Sequence, residues 1–264
     1  MLQKKVNLFG VFIDDISKED ALVLAMKSLS DGEARSFFTP NLEMLDGARR
    51  SEGIRRILNG ATVCLPDGIG VNMISKLLGT PIKNSAAGID FGEMLIERAA
   101  KTNARVFLLG GRRDVAEAAA ENLKKRHQNL VVCGVHHGYF SSYEAQSVIE
   151  QISSADTDIL FVCMGFPRQE KFVYEMGESL RGVKVFACLG GALDVWSGEK
   201  TRAPVTFRRY GLEWLWRIIC EPSRAERFIL SLPTLFIAFS VAIKNIPSNL
   251  RIKSRGGAYN RMRN

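Results

Sequence analysis

Cysteine is scarce and scattered in this 264-residue chain. Cys64, Cys133, Cys163, Cys188 and Cys220 form an odd set of five with no Cys-x-x-Cys spacing. Disulfides and thiolate zinc sites are therefore not expected. Four of the five fall in apolar runs, where Cys behaves as a small buried side chain. No charged, apolar, small-residue leader follows Met1, so we expect a reducing, cytoplasmic setting. Histidine is rarer still, at three. His136 and His137 sit where a strand runs into a loop; alternation should turn them to different faces, and no third ligand is near. No Ser-His-Asp or Cys-His signature can be assembled, and no Gly-x-Gly-x-x-Gly occurs, which disfavours a triad hydrolase and a nicotinamide dinucleotide enzyme.

Charge is abundant but uneven. The net charge is +8, yet the segment from Lys200 onward carries thirteen Lys and Arg against three Glu, leaving 23 basic against 25 acidic residues before it. The basic character belongs to the tail. Such a segment suits nucleic acid, anionic lipid or a phosphorylated substrate, and charge alone does not choose among them.

Short apolar runs alternate with amphipathic segments. Residues 6–13, 35–38, 61–64, 105–109, 130–135, 159–164 and 183–189 read as seven strands. Helices are expected from Ser17, which opens a capping-box spacing, to about Leu29, and over 42–58, 71–78, 91–101 and 114–125. This order predicts an α/β fold, a Rossmann-like, mostly parallel sheet with helices on both faces.

The stretch Leu65-Pro66-Asp67-Gly68-Ile69-Gly70 places a carboxylate on a strand-to-helix turn. In an open parallel sheet the carboxyl ends of the strands form the ligand crevice. Asp67 either caps the next helix or faces a ligand. Thr39, Asn41, Gly110, Gly111, Gln169, Gly191 and Asp194 also follow strands directly and should share that edge with it. The convergence favours a site the size of a nucleotide-linked substrate. Gly110-Gly111 before a helix reads either as a phosphate-facing turn or as a plain tight turn. Asp156-Thr157-Asp158 resembles a metal-nucleotide motif but precedes its strand, at the wrong edge, and reads as a solvated turn.

Beyond Arg202-Ala203-Pro204 the character changes. Arg217, Arg224 and Arg227 are seven and three apart, so a helical path would bring them near one face, with Pro222 able to bend it. That row suits either a diphosphate or a solvated basic face. Phe228 to Ile243 is sixteen residues without a charge, with Pro233 inside. It would span about 24 Å, short of a ~30 Å hydrocarbon core. Flanked by cations, it reads as a segment lying in an anionic membrane surface; the alternative is a core or homo-oligomer interface helix.

Together, Thr39-Pro40-Asn41, Leu65 to Gly70, Met164-Gly165-Phe166-Pro167-Arg168-Gln169-Glu170, Gly190 to Pro204 and Gly211-Leu212-Glu213-Trp214-Leu215-Trp216-Arg217 resemble the WecG/TagA/CpsF glycosyltransferases, glycosyltransferase family 26, over about residues 5–230. The resemblance implies an inverting, metal-independent enzyme with no cofactor. It would move a sugar, N-acetylmannosamine in the first instance, from a UDP donor to an undecaprenyl-diphosphate-linked acceptor for teichoic-acid or other cell-surface polysaccharide. It makes Asp67 the general base. Thr39, Asn41, Gln169, Gly110, Gly111, Gly191 and Asp194 become substrate-binding residues, and Arg202, Arg217, Arg224 and Arg227 diphosphate- or acceptor-binding. The implied organisation is a catalytic α/β domain over 1–200, a helical appendage over 201–247 that completes the site and binds the inner face of the cell membrane, and a basic, disordered tail over 248–264. One departure stands out: Ser85 occupies the position where the family commonly has Arg, so Lys83 or a tail arginine substitutes, or the sugar differs. Other readings are a different donor, UDP-glucose or a UDP-uronic acid; a Rossmann-type enzyme that modifies nucleotide sugars; or a basic module binding membrane or nucleic acid.

Overall fold

The computed structural model describes residues 4–244, so the expected tail over 248–264 lies outside the described residues. A two-stranded antiparallel hairpin, β1 (Lys5–Leu8) and β2 (Val11–Asp14), leads into α1 (Lys18–Asp31) and β3 (Arg35–Phe38). There follow α2 (Leu42–Arg50), α3 (Glu52–Asn59), β4 (Val63–Cys64), α4 (Ile69–Leu77), α5 (Gly88–Thr102), β5 (Arg105–Gly110), α6 (Arg113–Arg126) and β6 (Val131–His136). Then come α7 (Ala145–Ser154), β7 (Ile159–Cys163), α8 (Arg168–Met176), β8 (Val185–Cys188) and α9 (Ala192–Trp196). The described residues close with α10 (Val205–Arg209), α11 (Glu213–Cys220) and α12 (Arg224–Lys244).

The main sheet runs β4-β3-β8-β7-β5-β6, and each neighbouring pair is parallel. The order reverses between β3 and β8, so the carboxyl ends of those strands border the crevice where ligands of open α/β sheets bind. Alternation along the strands supplies two cores. Phe37, Leu108, Phe161 and Ala187 face α1, α5, α6 and α9, while Phe38, Leu109, Val162 and Cys188 face α2, α4, α7 and α8. Burial on both faces explains why the strands read as continuous apolar runs.

Two expected elements divide. The single strand over 6–13 is a hairpin because Phe9 and Gly10 both take positive φ, 53° and 85°, and Asn7 Oδ1 accepts the Gly10 N–H at 2.8 Å. Such turns usually advertise Asn-Gly, and Phe at the first position hides the signal. The helix over 42–58 breaks at Ser51, whose extended backbone and hydroxyl, accepting from Ile54 N, start α3 anew.

The C-terminal helices are folded back onto the domain. Trp214 stacks on Phe228 at 4.5 Å, and Trp216 Nε1 donates to the Thr201 carbonyl at 3.3 Å. The last helix, α12, is longer than the uncharged run: it begins at Arg224, continues through Pro233, and reaches 21 residues. By length and mean hydropathy, 1.6 over its best 18-residue window, it could cross a membrane. It rests on α2 and α4 through Ser231, Thr234 and Ala238, and much of its remaining apolar surface, including Ile229, Leu230, Phe236 and Phe239, faces outward.

A buried polar knot fastens it. Thr234 Oγ1 donates to Asp46 Oδ1 at 2.6 Å and accepts from Arg49 Nε at 3.1 Å; Arg49 and Arg50 both ion-pair with Asp46, and Arg50 also donates to the Leu230 carbonyl. Asp46 is buried, so its removal leaves the buried Thr234 hydroxyl and the part-buried Arg49 guanidinium without their acceptor, while the half-exposed Arg50 turns to solvent. Asp46→Ala is expected to cost about 3 kcal/mol, concentrated on α12. Hydrogen exchange should show amides of 224–244 losing protection while those of β5, β7 and β8 keep theirs.

Candidate active site

The turn between β4 and α4 is held from two sides. Leu65 N donates to the Phe38 carbonyl, Asp67 N to the Pro40 carbonyl, and Ala86 N to the Pro66 carbonyl, at 2.9, 3.1 and 2.9 Å. Asp67 does not cap the helix that follows it: α4 starts at Gly68, φ 82°, without a side-chain cap. The backbone N–H of Gly88, at the start of α5, lies close enough to favour the ionised form of the Asp67 carboxyl. Gly88 must be glycine there, because a Cβ would lie 2.9 Å from Thr39 Cγ2.

Burial pushes the Asp67 carboxyl up to about 6. Arg217 of α11 pulls the other way, Glu213 and Asp90 add to the rise, and the Gly88 N–H opposes it. An acid with this value is ionised at neutral pH yet still basic enough to take a proton. The appendage is therefore not remote from the crevice: α11 presents an ion pair, Arg217 with Glu213 at 2.9 Å, whose field reaches the turn. Of the substitutes considered for the missing arginine, Arg217 is the cation acting on Asp67, while Ser85 is exposed on a loop whose neighbours Lys83 and Asn84 donate to Asp15.

The remaining strand-end residues tie the turns to one another. Thr39 is buried and its hydroxyl donates to the Cys188 carbonyl at 3.1 Å, linking β3 to β8. Asn41 caps α2 by accepting from Met44 N at 3.1 Å. Gln169 accepts from Gly190 N at 3.0 Å and donates to Glu170 at 2.7 Å, linking the β7 and β8 turns. At Gly110, φ 147°, a Cβ would lie 2.2 Å from the Cys163 carbonyl oxygen, and the Gly111 N–H donates to that same oxygen. Those two glycines answer a packing requirement, and the amide of Gly111 is spent inside the fold.

Asp194 pairs with Lys200 at 2.7 Å, Lys200 with Glu221 at 3.3 Å, and Glu221 with Arg224. Gly191 sits over Asp194, its missing Cβ 3.4 Å from Oδ2. Arg202 pairs with Asp90 and, at 3.5 Å, with Glu93, so its charge is directed at α5. Arg227 stands 4.0 Å from Glu43. Arg217, Arg224 and Arg227 do not share one helical face: the chain breaks at Glu221-Pro222-Ser223, putting the first on α11 and the others on α12. Pro222 lies in that break.

Two other expectations need revision or relocation. The rings of His136 and His137 do not diverge; they lie 4.5 Å apart, and His136 Nδ1 bonds the His137 carbonyl oxygen. Asp156-Thr157-Asp158 is structural: Asp158 Oδ2 accepts Arg105 N at 2.8 Å and its carbonyl accepts Lys184 N. Among the described residues no group of three His, Cys, Asp or Glu could hold a metal ion. The sequence reading passed over Asp90, Glu213 and Glu170. Only Glu170 had a local signal, an acid closing the turn that follows an apolar strand.

The profile described as Glycosyl transferase WecG/TagA/CpsF family matches residues 6–248. The N-acetylglucosaminyldiphosphoundecaprenol N-acetyl-beta-D-mannosaminyltransferase of Bacillus spizizenii is 34% identical over 233 residues, 88% of this chain and 89% of that protein. Proteins of the same name from Bacillus subtilis and Staphylococcus aureus are 35% identical over 195 residues and 30% over 244, covering 74% and 92% of this chain and 75% and 94% of their own. With the match spanning both the parallel sheet and the helices folded over its edge, the chain belongs to the WecG/TagA/CpsF family of glycosyl transferases.

Proposed function

We propose that this chain transfers N-acetylmannosamine, with inversion, from a UDP donor to the N-acetylglucosamine of an undecaprenyl-diphosphate-linked acceptor, the chemistry named for its relatives. The observation that carries the reading is Asp67: a carboxyl raised to about 6 at the carboxyl edge of the sheet, with an arginine of the appendage acting on it. The acceptor hydroxyl oxygen attacks the anomeric carbon as Asp67 takes its proton, and the bond to UDP breaks on the opposite face with its electron pair leaving on the diphosphate. Thr39, Asn41 and Gln169 border the sugar and acceptor, and the Gly190–Asp194 turn borders the nucleotide. Arg217, Arg224 and Arg227 neutralise diphosphate charge by bidentate bonds, the task a divalent cation performs in other transferases.

Residues 201–247 act in this reading as an appendage that both closes the crevice and meets the lipid. The acceptor is anchored in a bilayer, so the enzyme works at its inner surface. The outward apolar residues of α12, beside the arginines at its start, suit an anionic membrane face. The product is a lipid-linked disaccharide of the kind that starts a teichoic-acid linkage unit.

Incubation with UDP-N-acetylmannosamine and the lipid-diphosphate acceptor should release UDP and form the disaccharide; no release above background with any UDP-sugar overturns the proposal. Asp67→Asn should lower kcat by roughly 10²–10⁴ with little change in KM. In the unaltered enzyme, turnover should fall about tenfold per pH unit below pH about 6, as the base is protonated. The same variant reports on stability. A folded-state pKa above the unfolded one makes the ionised carboxylate a burden that grows as pH rises from about 4 to 6 and stays above that. Thermal melts should therefore place Asp67→Asn above the native protein at neutral pH and level with it near pH about 3.5.

A further inference from the structure

Glu170 is fully buried, and its two carboxyl oxygens are treated very differently. Oε1 accepts the amide of Gln169 at 2.7 Å, while Oε2 has no partner. The titratable groups that face it are Cys64 of β4, Cys188 of β8 and Glu43 of α2, none of them a cation. Burial lifts this carboxyl to about 7, so at neutral pH it is shared between its two forms. A buried polar atom left unsatisfied is costly, and an apolar side chain would avoid that cost. The group is therefore explained by what Oε1 does.

Oε1 selects one of two orientations of the Gln169 amide. A carboxamide can turn over and exchange its oxygen and nitrogen with almost no change in shape. Gly190 N–H needs an acceptor, and Gln169 Oε1 supplies it at 3.0 Å. That leaves Nε2 pointing at Glu170, where only an acceptor is satisfied. The turned-over amide would face its oxygen to the Glu170 oxygen and its N–H to another N–H. Because the carbonyl oxygen of a protonated carboxyl also accepts, the selection survives titration. At the far end stands Gly190, φ 57°, the residue that turns β8 toward the start of α9.

We infer that Glu170 is a positioning residue: through Gln169 it fixes the Gly190–Asp194 turn in the form that holds the nucleotide diphosphate of the donor. This rests on the proposed function, since the turn borders the nucleotide only in that reading. The relay joins the ends of β7 and β8, next to the point where the strand order reverses.

The test compares Glu170→Gln, which keeps an acceptor at the same reach without the charge, with Glu170→Asp, which keeps the charge and withdraws the acceptor by one methylene. UDP binding to the full chain, measured by calorimetry, is the primary readout; donor KM and kcat follow. Glu170→Gln should bind UDP within about twofold of the unaltered protein. Glu170→Asp should bind about tenfold more weakly, the effect expected for losing one such bond, and raise donor KM by a similar factor with kcat changed much less. Equal binding by Glu170→Asp, or a loss in Glu170→Gln as large as in Glu170→Asp, overturns the inference. If Glu170→Asp does not fold, as checked by thermal melting, Glu170→Gln decides alone: a weakened affinity refutes the acceptor role and a retained one supports it. Failure of the unaltered protein to bind UDP would instead refute the proposed function, so the two failures are distinct.

Discussion

Burial raises the Asp67 carboxyl and the Arg217 guanidinium limits the rise without cancelling it. Burial alone would carry a carboxyl far above neutrality and leave it protonated. A close, exclusive pairing with arginine would do the reverse, holding it ionised but too weak a base to take a proton from a hydroxyl. Arg217 acts on Asp67 while also bound to Glu213, which tempers its field, and the result is a carboxyl near 6. The Gly88 amide adds a donor from a helix start. The turn before α4, the start of α5 and the distant α11 therefore meet at one carboxyl.

The rest of the crevice is built to keep those elements in register. Thr39 ties β3 to β8 across the reversal in strand order, and Gln169 ties β7 to β8 beside it. Arg202 ties the entry to the appendage to α5 through Asp90 and Glu93. Asp90 thus serves twice, anchoring the appendage and raising the carboxyl of Asp67. Several polar residues at the edge spend hydrogen bonds on one another, and rigid turns are what precise substrate placement requires.

The sheet and its edge were legible in the sequence because each strand is a continuous apolar run ending in a turn with an unusual polar residue. Parallel pairing then places all those residues together without further information. Features decided at longer range were not legible. The groups that act on the acidity of Asp67, Gly88 and Asp90 of α5 and Glu213 and Arg217 of α11, stand twenty-one or more positions away. The break at Ser51 lay within an unbroken helical periodicity, and the hairpin at Phe9-Gly10 lacked the usual turn residues. The pairing of Asp46 with Thr234 joins positions 188 apart, and no local pattern marks either partner.

That last pairing explains how an apolar helix can be docked and still keep its apolar face. Had α12 been held by hydrophobic packing alone, the side chains that dock it would be the large ones, and those turned outward would be few. The fully buried contact is made by small and hydroxyl residues, Ser231, Thr234 and Ala238, with Phe228 and Leu235 packed partly against the core and the ionic knot around Asp46 supplying direction. A polar knot of this kind is geometrically exacting but uses little apolar area. Phe236, Phe239 and Ile243 are left on the outer surface. The same arrangement places α12 beside α4, the helix that follows the Asp67 turn. An outward apolar surface is thus fixed beside the turn that carries Asp67, and in the proposed reaction a bilayer-held acceptor would reach that carboxyl without the appendage having to travel.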